Sequence, residues 1–213
     1  MGTLDPFNYT KLAKQITVQR KLNWDLEQDI NWSQGVDMSK TFLPLGEIEE
    51  LFPDASLEQF IALSQWLGLA VNCAISEAED ALPELKQKVW RDVLDEFPVN
   101  PEMYELGEMF FEEEAKHSKA FKRYQSTFCQ SQGIDPEVLD LILPKYYGTF
   151  YQSAVTSNAL SGGHMFWWVV AEIEEVSISI YKNIHQDREL IDPLFYELHR
   201  KHLEEEALSL IHI

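Results

Sequence analysis

From Ser56 onward the apolar residues of this chain recur at steps of three and four, the repeat that puts side chains on one face of an α-helix. No stretch alternates apolar with polar residues for long enough to make a convincing strand. The pattern predicts an all-α fold. Ser56 is a plausible N-cap, and Phe60, Leu63, Leu67, Ala70 and Ala74 carry a first long helix to about Leu82. Pro83 is expected to open the next helical stretch, with Leu85, Val89, Trp90 and Val93 leading to Phe97 before Pro98-Val-Asn-Pro101 breaks the chain. A long helix follows from about Glu102 to Gln130. Gly133-Ile-Asp135-Pro136 stops and restarts the chain, and a further helix is expected toward Leu160. After the Ser161-Gly-Gly163 break, helices from His164 to Gln186 and from Asp192-Pro193 onward complete the pattern. Residues 1–55 read as an irregular, partly helical arm, pinned by Trp24, Trp32, Phe42 and Leu45 onto a helical domain of residues 56–213.

Charge narrows the function classes. The chain has 17 Lys+Arg against 36 Asp+Glu, a net charge of −19, yet 45% of its 213 residues are hydrophobic, too many for a disordered acidic chain. Nucleic acid and membrane surfaces are disfavoured as partners, because the densest basic cluster (Lys116, Lys119, Lys122, Arg123) is interrupted and follows a run of Glu. The strongest apolar run, Met165 to Ala171, is far too short to span a bilayer. Cys73 and Cys129 have no metal-type spacing and read as small buried residues. Met1 to Lys14 has neither the basic nor the apolar region of a signal peptide, so a cytoplasmic location is expected. Phosphate loops, nucleophile elbows and dinucleotide fingerprints are absent.

The acids are not scattered. Glu114-Ala-Lys-His117 places a carboxylate and an imidazole three residues apart, on one helical face, where both can reach one metal ion. Alone, such a spacing arises by chance in acidic helices. His202-Leu-Glu-Glu-Glu206 repeats the pairing at a spacing of four in the last helix. The two other long helices carry Glu77 and Glu79, and Glu172, Glu174 and Glu175. One Glu from each of two helices plus a Glu/His pair from each of the others is the pattern of dimetal carboxylate bundles. Four carboxylates neutralise two divalent ions, and an oxygen-rich set with a few imidazoles suits iron or manganese. Helix phase favours Glu79, which shares its face with Gly68, Asn72 and Ser76, with Glu77 as the alternate. In the other helix Glu172 and Glu175 share a face with Trp168 and Ser179, while Glu174 points elsewhere; Glu175 is preferred and Glu172 is the alternate. The expected metal ligands are therefore Glu79, Glu114, His117, Glu175, His202 and Glu206. Glu102, Glu105, Glu108 and Glu112 read as a solvated face, and Phe166-Trp167-Trp168 as core packing.

These two Glu/His segments resemble the di-iron N-oxygenases typified by para-aminobenzoate N-oxygenase (AurF-like proteins). The resemblance implies a ferritin-like helical bundle binding two iron ions (Fe2+/Fe3+), O2 activation with electrons from an external donor, and oxygen transfer to a small organic substrate such as an amine. It makes Glu114 and Glu206 the bridging ligands, with His117 and His202 terminal and His202 the additional histidine four residues before the last Glu. The family pattern continues with a histidine three residues after that Glu, where this chain has Ser209. Serine is a poor iron ligand, and His212 lies about 120° off the ligand face. The second iron is therefore expected to bind weakly. The ending Ser209-Leu-Ile-His-Ile213, uncapped within a helix, leads us to expect a longer native gene that carries the histidine. Manganese in place of iron, and a homodimer, stay open. So do two rival readings, a non-catalytic ferritin-like metal-binding or storage protein and a dimetal hydrolase.

Overall fold

A computed structural model describes residues 9–44, 46–91, 101–143, 145, 148 and 164–209. The fold is an all-α helical bundle, and no strand occurs among the described residues. In chain order the helices are α1 (Tyr9–Leu22), α2 (Gly46–Leu51), α3 (Leu57–Lys86), α4 (Pro101–Gln132), α5 (Pro136–Ile142), α6 (His164–Gln186) and α7 (Pro193–Ser209). Helix α3 packs along α4, α6 packs on α7, and α1 lies against α4 and α7.

Local chemistry accounts for the helix ends. Ser56 caps α3 in a reciprocal box: its side chain accepts from the Gln59 N–H, and the Gln59 side chain accepts from the Ser56 N–H. Gly133, at φ +63°, ends α4, with the Ile134 N–H reaching back to the Cys129 carbonyl. Asp135 then caps α5 by accepting from the Glu137 N–H, with Pro136 in the first turn.

One expectation is corrected. Pro83 does not open a new helix but lies inside α3, which runs on to Lys86 and then widens into a π-turn over Gln87–Arg91. A proline removes one backbone donor, and the burial of Leu82, Leu85 and Val89 against Phe110 and Phe111 offsets that loss. The N-terminal arm is partly helical, as expected, with α1 extending over 14 residues before the irregular stretch from Asn23 to Pro44. Leu45, residues 92–100 and most of 144–163, where a break and a longer helix were expected, lie outside the described residues.

The arm shares the bundle's core. Trp24, Ile30 and Phe42 join Leu69, Phe121, Tyr124, Phe128, Phe195 and Leu198 in one buried cluster. Thr41 pairs with the start of α7: its N–H donates to the Leu190 carbonyl (3.1 Å) and its carbonyl accepts from the Asp192 N–H (2.8 Å). Ser64 accepts from the N–H groups of Phe42 and Leu43, and Gly68 lets Phe42 and Phe195 lie directly on α3.

A second apolar cluster, of Leu82, Leu85, Val89, Phe110, Phe111, Phe166 and Val170, forms farther along the bundle. The sequence positions of the two clusters leave an interval on three helices, holding Glu79 on α3, Glu114 and His117 on α4, and Glu174 on α6. That interval is polar, and it is buried. Helix α3 is long and apolar enough to cross a membrane by composition, but half of its most apolar window is buried inside the protein, as in a core helix.

Candidate metal centre

Each of the four long helices sends at least one carboxylate or imidazole into the buried polar layer. Glu79, Glu114, His117, Glu174, His202 and Glu206 are all 4% exposed or less. Glu79, His117, His202 and Glu206 each offer one ligand atom, all within 4.8 Å of one another, and Glu114, Glu174 and Glu206 form a second such group. Glu206 belongs to both, so its carboxylate lies where two ion positions would meet.

The ligand-type atoms of the layer lie close together. His202 Nε2 lies 2.7 Å from Glu79 Oε1 and 3.1 Å from Glu206 Oε1. His117 Nδ1 lies 2.9 Å from Glu206 Oε1, yet neither atom is aligned for a hydrogen bond. Glu79 Oε2 and both oxygens of Glu114 and of Glu206 are also buried without a hydrogen-bond partner. Stranded oxygens are costly in a protein interior, and divalent cations satisfy them. The donor set therefore fits one or two metal ions. The first group supplies two nitrogens and two carboxylates, whereas the second is carboxylate only and favours a hard cation.

Electrostatics follow the same division. Burial raises Glu114 and Glu174 well above the ordinary carboxylate range, and the nearby charge of Glu206 pushes both further. Burial also raises Glu79, against the pull of His202. Glu206 is the exception: burial pushes it up, but Glu174, His202 and His117 all favour its ionised form and hold it well below the usual range. Burial lowers the imidazoles, and neighbouring carboxylates more than reverse this, Glu205 and Glu206 for His117 and Glu79 and Glu206 for His202. The layer is a set of acids and imidazoles that share protons, which a metal would displace.

One expected ligand is misplaced by one residue. Glu175 and Glu172 face solvent, and Glu174 occupies the layer instead. The inner face of α6 runs through Phe166, Val170, Glu174, Ser177 and Ile184, a clean three-and-four repeat. Trp168 misled the phase reading, because it is 69% exposed. The small Ser177 beside Glu174 was the available signal, the same kind that singled out Glu79. Glu77 is only half-buried and turns toward Cys73 Sγ, 3.7 Å away. Glu105 and Glu108 pair with basic side chains at the surface, and Phe166 and Trp167 pack in the second apolar cluster.

Several further residues surround the layer. Glu205 accepts from His117 Nε2 at 2.6 Å and pairs with Lys116 Nζ at 2.6 Å. Glu113, raised by burial to about 7, accepts from the Gln19 side chain. His199 is buried between Phe121 and Phe195 with Nε2 3.0 Å from Asn72 Oδ1, and burial lowers it to about 3, so it is a neutral packing group. Helix α7 carries Ser209 one turn beyond Glu206.

A cavity of about 530 Å³ opens between α3 and α6. Val71, Ala74, Ile75, Trp168, Ile173 and Val176 line most of it. Ile75 stands one turn before Glu79, and Ile173 and Ser177 flank Glu174. No protein-family model, curated protein or solved structure matches this chain.

Proposed function

We propose that the protein is a non-haem di-iron oxygenase of the ferritin-like type, using O2 and an external electron donor to oxidise a small organic substrate in the cytoplasm, with N-oxygenation of an amine as the specific reaction. The observation that carries the reading is the buried Glu/His layer, with unpaired oxygens on Glu79, Glu114 and Glu206 and an unpaired nitrogen on His117. Glu79, His117, His202 and Glu206 would hold one iron, and Glu114, Glu174 and Glu206 the other. Bound there, iron supplies the O2 chemistry that no side chain in the layer can perform.

The chain's own residues supply the rest. Glu206, kept ionised, holds the two positions together. The apolar clusters on either side exclude water from the layer. The cavity lined by Val71, Ile75, Trp168 and Ile173 offers an apolar substrate a place between the two helices that carry Glu79 and Glu174, and Glu172 on its wall can meet a cationic group. A substrate-sized apolar cavity favours an oxygenase over a storage protein, whose access path would be lined with carboxylates. The all-carboxylate second group is the observation that favours the alternative, a non-catalytic metal-binding protein.

Anaerobic loading with Fe(II), metal analysis and measurement of O2 uptake with a reductant separate the two. Two irons per chain with reductant-dependent O2 uptake, accelerated by an aryl or alkyl amine, are expected. Loading without coupled O2 uptake would leave the metal-binding alternative, and a chain that retains only trace metal overturns both.

A further inference from the structure

We infer that Glu205 is a positioning residue of the metal centre: clamped by Lys116 and by the backbone of the N-terminal arm, it engages Nε2 of His117 and so presents Nδ1 to the ion. The inference rests on the metal-binding reading of the layer, though not on the oxygenase chemistry.

The geometry is that of two adjacent pairs facing each other. Lys116 and His117 are neighbours on α4, and Glu205 and Glu206 are neighbours on α7. Glu205 Oε2 takes His117 Nε2 at 2.6 Å. Its other oxygen, Oε1, accepts from Lys116 Nζ at 2.6 Å and from the Trp24 backbone N–H at 3.2 Å. With two donors fixed on Oε1, Oε2 is left for the imidazole.

That leaves His117 Nδ1, which lies 2.9 Å from Glu206 Oε1 and has no hydrogen bond. An imidazole can bind a metal only through a nitrogen free of its proton, and a carboxylate on the far nitrogen fixes which one that is. The ring plane is set as well: Trp24 stacks on His117 at 5.9 Å and 12°, and Lys116 Nζ sits 4.6 Å over the Trp24 ring. The arm holds a second acid beside a candidate ligand in the same way, since Gln19 donates to Glu113, the neighbour of Glu114. A segment with no candidate ligand among its described residues thus orients one.

Zn(II), a diamagnetic probe, tests this directly. In the Zn(II)-loaded protein, long-range 1H–15N spectra should show His117 keeping its proton on Nε2 and binding through Nδ1. Binding through Nε2 overturns the inference. Glu205→Gln adds a functional test. Lys116 and the Trp24 N–H require the amide oxygen, so the amide NH2 turns to His117 Nε2, makes that nitrogen an acceptor and drives the proton onto Nδ1. Zn(II) affinity should fall about 10- to 100-fold. Glu204→Gln removes the same charge from a residue paired with Arg200 and Lys201, and should change affinity less than about twofold. Equal affinity in Glu205→Gln and wild type overturns the positioning role and leaves the metal reading standing. A wild-type chain that takes up neither Zn(II) nor Fe(II) overturns both. Should Glu205→Gln not fold, the wild-type spectrum decides alone.

Discussion

Glu174 and Glu175 are adjacent in the chain, yet Glu174 is 3% exposed within the polar layer and Glu175 faces solvent. Successive helical residues point about 100° apart, so a phase error of one residue exchanges a ligand for a surface charge. Glu174→Gln should lower metal stoichiometry toward one ion per chain, while Glu175→Gln and Glu172→Gln leave it unchanged; metal analysis after loading and desalting distinguishes them. The buried placement of Glu114, His117, His202 and Glu206 was legible from the paired Glu/His spacings on two helices, and that of Glu79 from the small residues on its face. Glu205 was not, since its role depends on Trp24 and Lys116, which tertiary contact alone brings to it. Ser209 stands three residues after Glu206, where the family that the sequence resembles carries a further histidine ligand. Ser209→His should therefore strengthen binding of the second ion selectively, which a two-site metal titration reads as a drop in the weaker dissociation constant.

At the scale of elements, the long helices were legible because their apolar repeats extend over many turns, and Gly133-Ile-Asp135-Pro136 carries its stop and restart in its own residues. The joins were less so. Pro83 reads locally as a helix start, but nonlocal burial of Leu82 and Leu85 carries α3 through it. The place of the arm was also hidden, because its contact with α3 depends on what a residue lacks. A Cβ on Gly68 would stand 2.5 Å from the Phe42 Cβ and 3.2 Å from the Phe195 ring. Phe42 is fully buried and its backbone is held by Ser64, so it has little room to yield. Gly68→Ala gains about 1 kcal/mol of helix propensity. Overpacking costs about 1–3 kcal/mol, so a net loss of up to about 2 kcal/mol is expected in urea unfolding.

For the whole molecule, the buried layer fixes how stability varies with pH. In the metal-free protein Glu79, Glu113, Glu114 and Glu174 have folded-state values above the ordinary 4.5, Glu113 at about 7. Each binds more protons folded than unfolded above that value, so their contribution falls as pH rises from about 4.5. His117 and His202, raised above 6.5, add a contribution that is full below 6.5 and lost above it. His199, lowered to about 3, opposes them by losing stability as pH falls below 6.5, and Glu205 and Glu206 act only below 4.5. With chelator present, the Tm should decline between about pH 5 and pH 8. Metal binding displaces protons and tightens with pH, so the rise in Tm on adding Fe(II) anaerobically should grow over the same interval. The stacked pair of Trp24 and His117 has an optical consequence. A buried indole lying face to face with a candidate ligand should respond to whether that ring carries a proton or an ion, so metal loading is expected to change the emission of Trp24, one of six tryptophans, and Trp24→Phe should remove that part of the change. The reporter would then lie on the arm, which has no candidate ligand among its described residues.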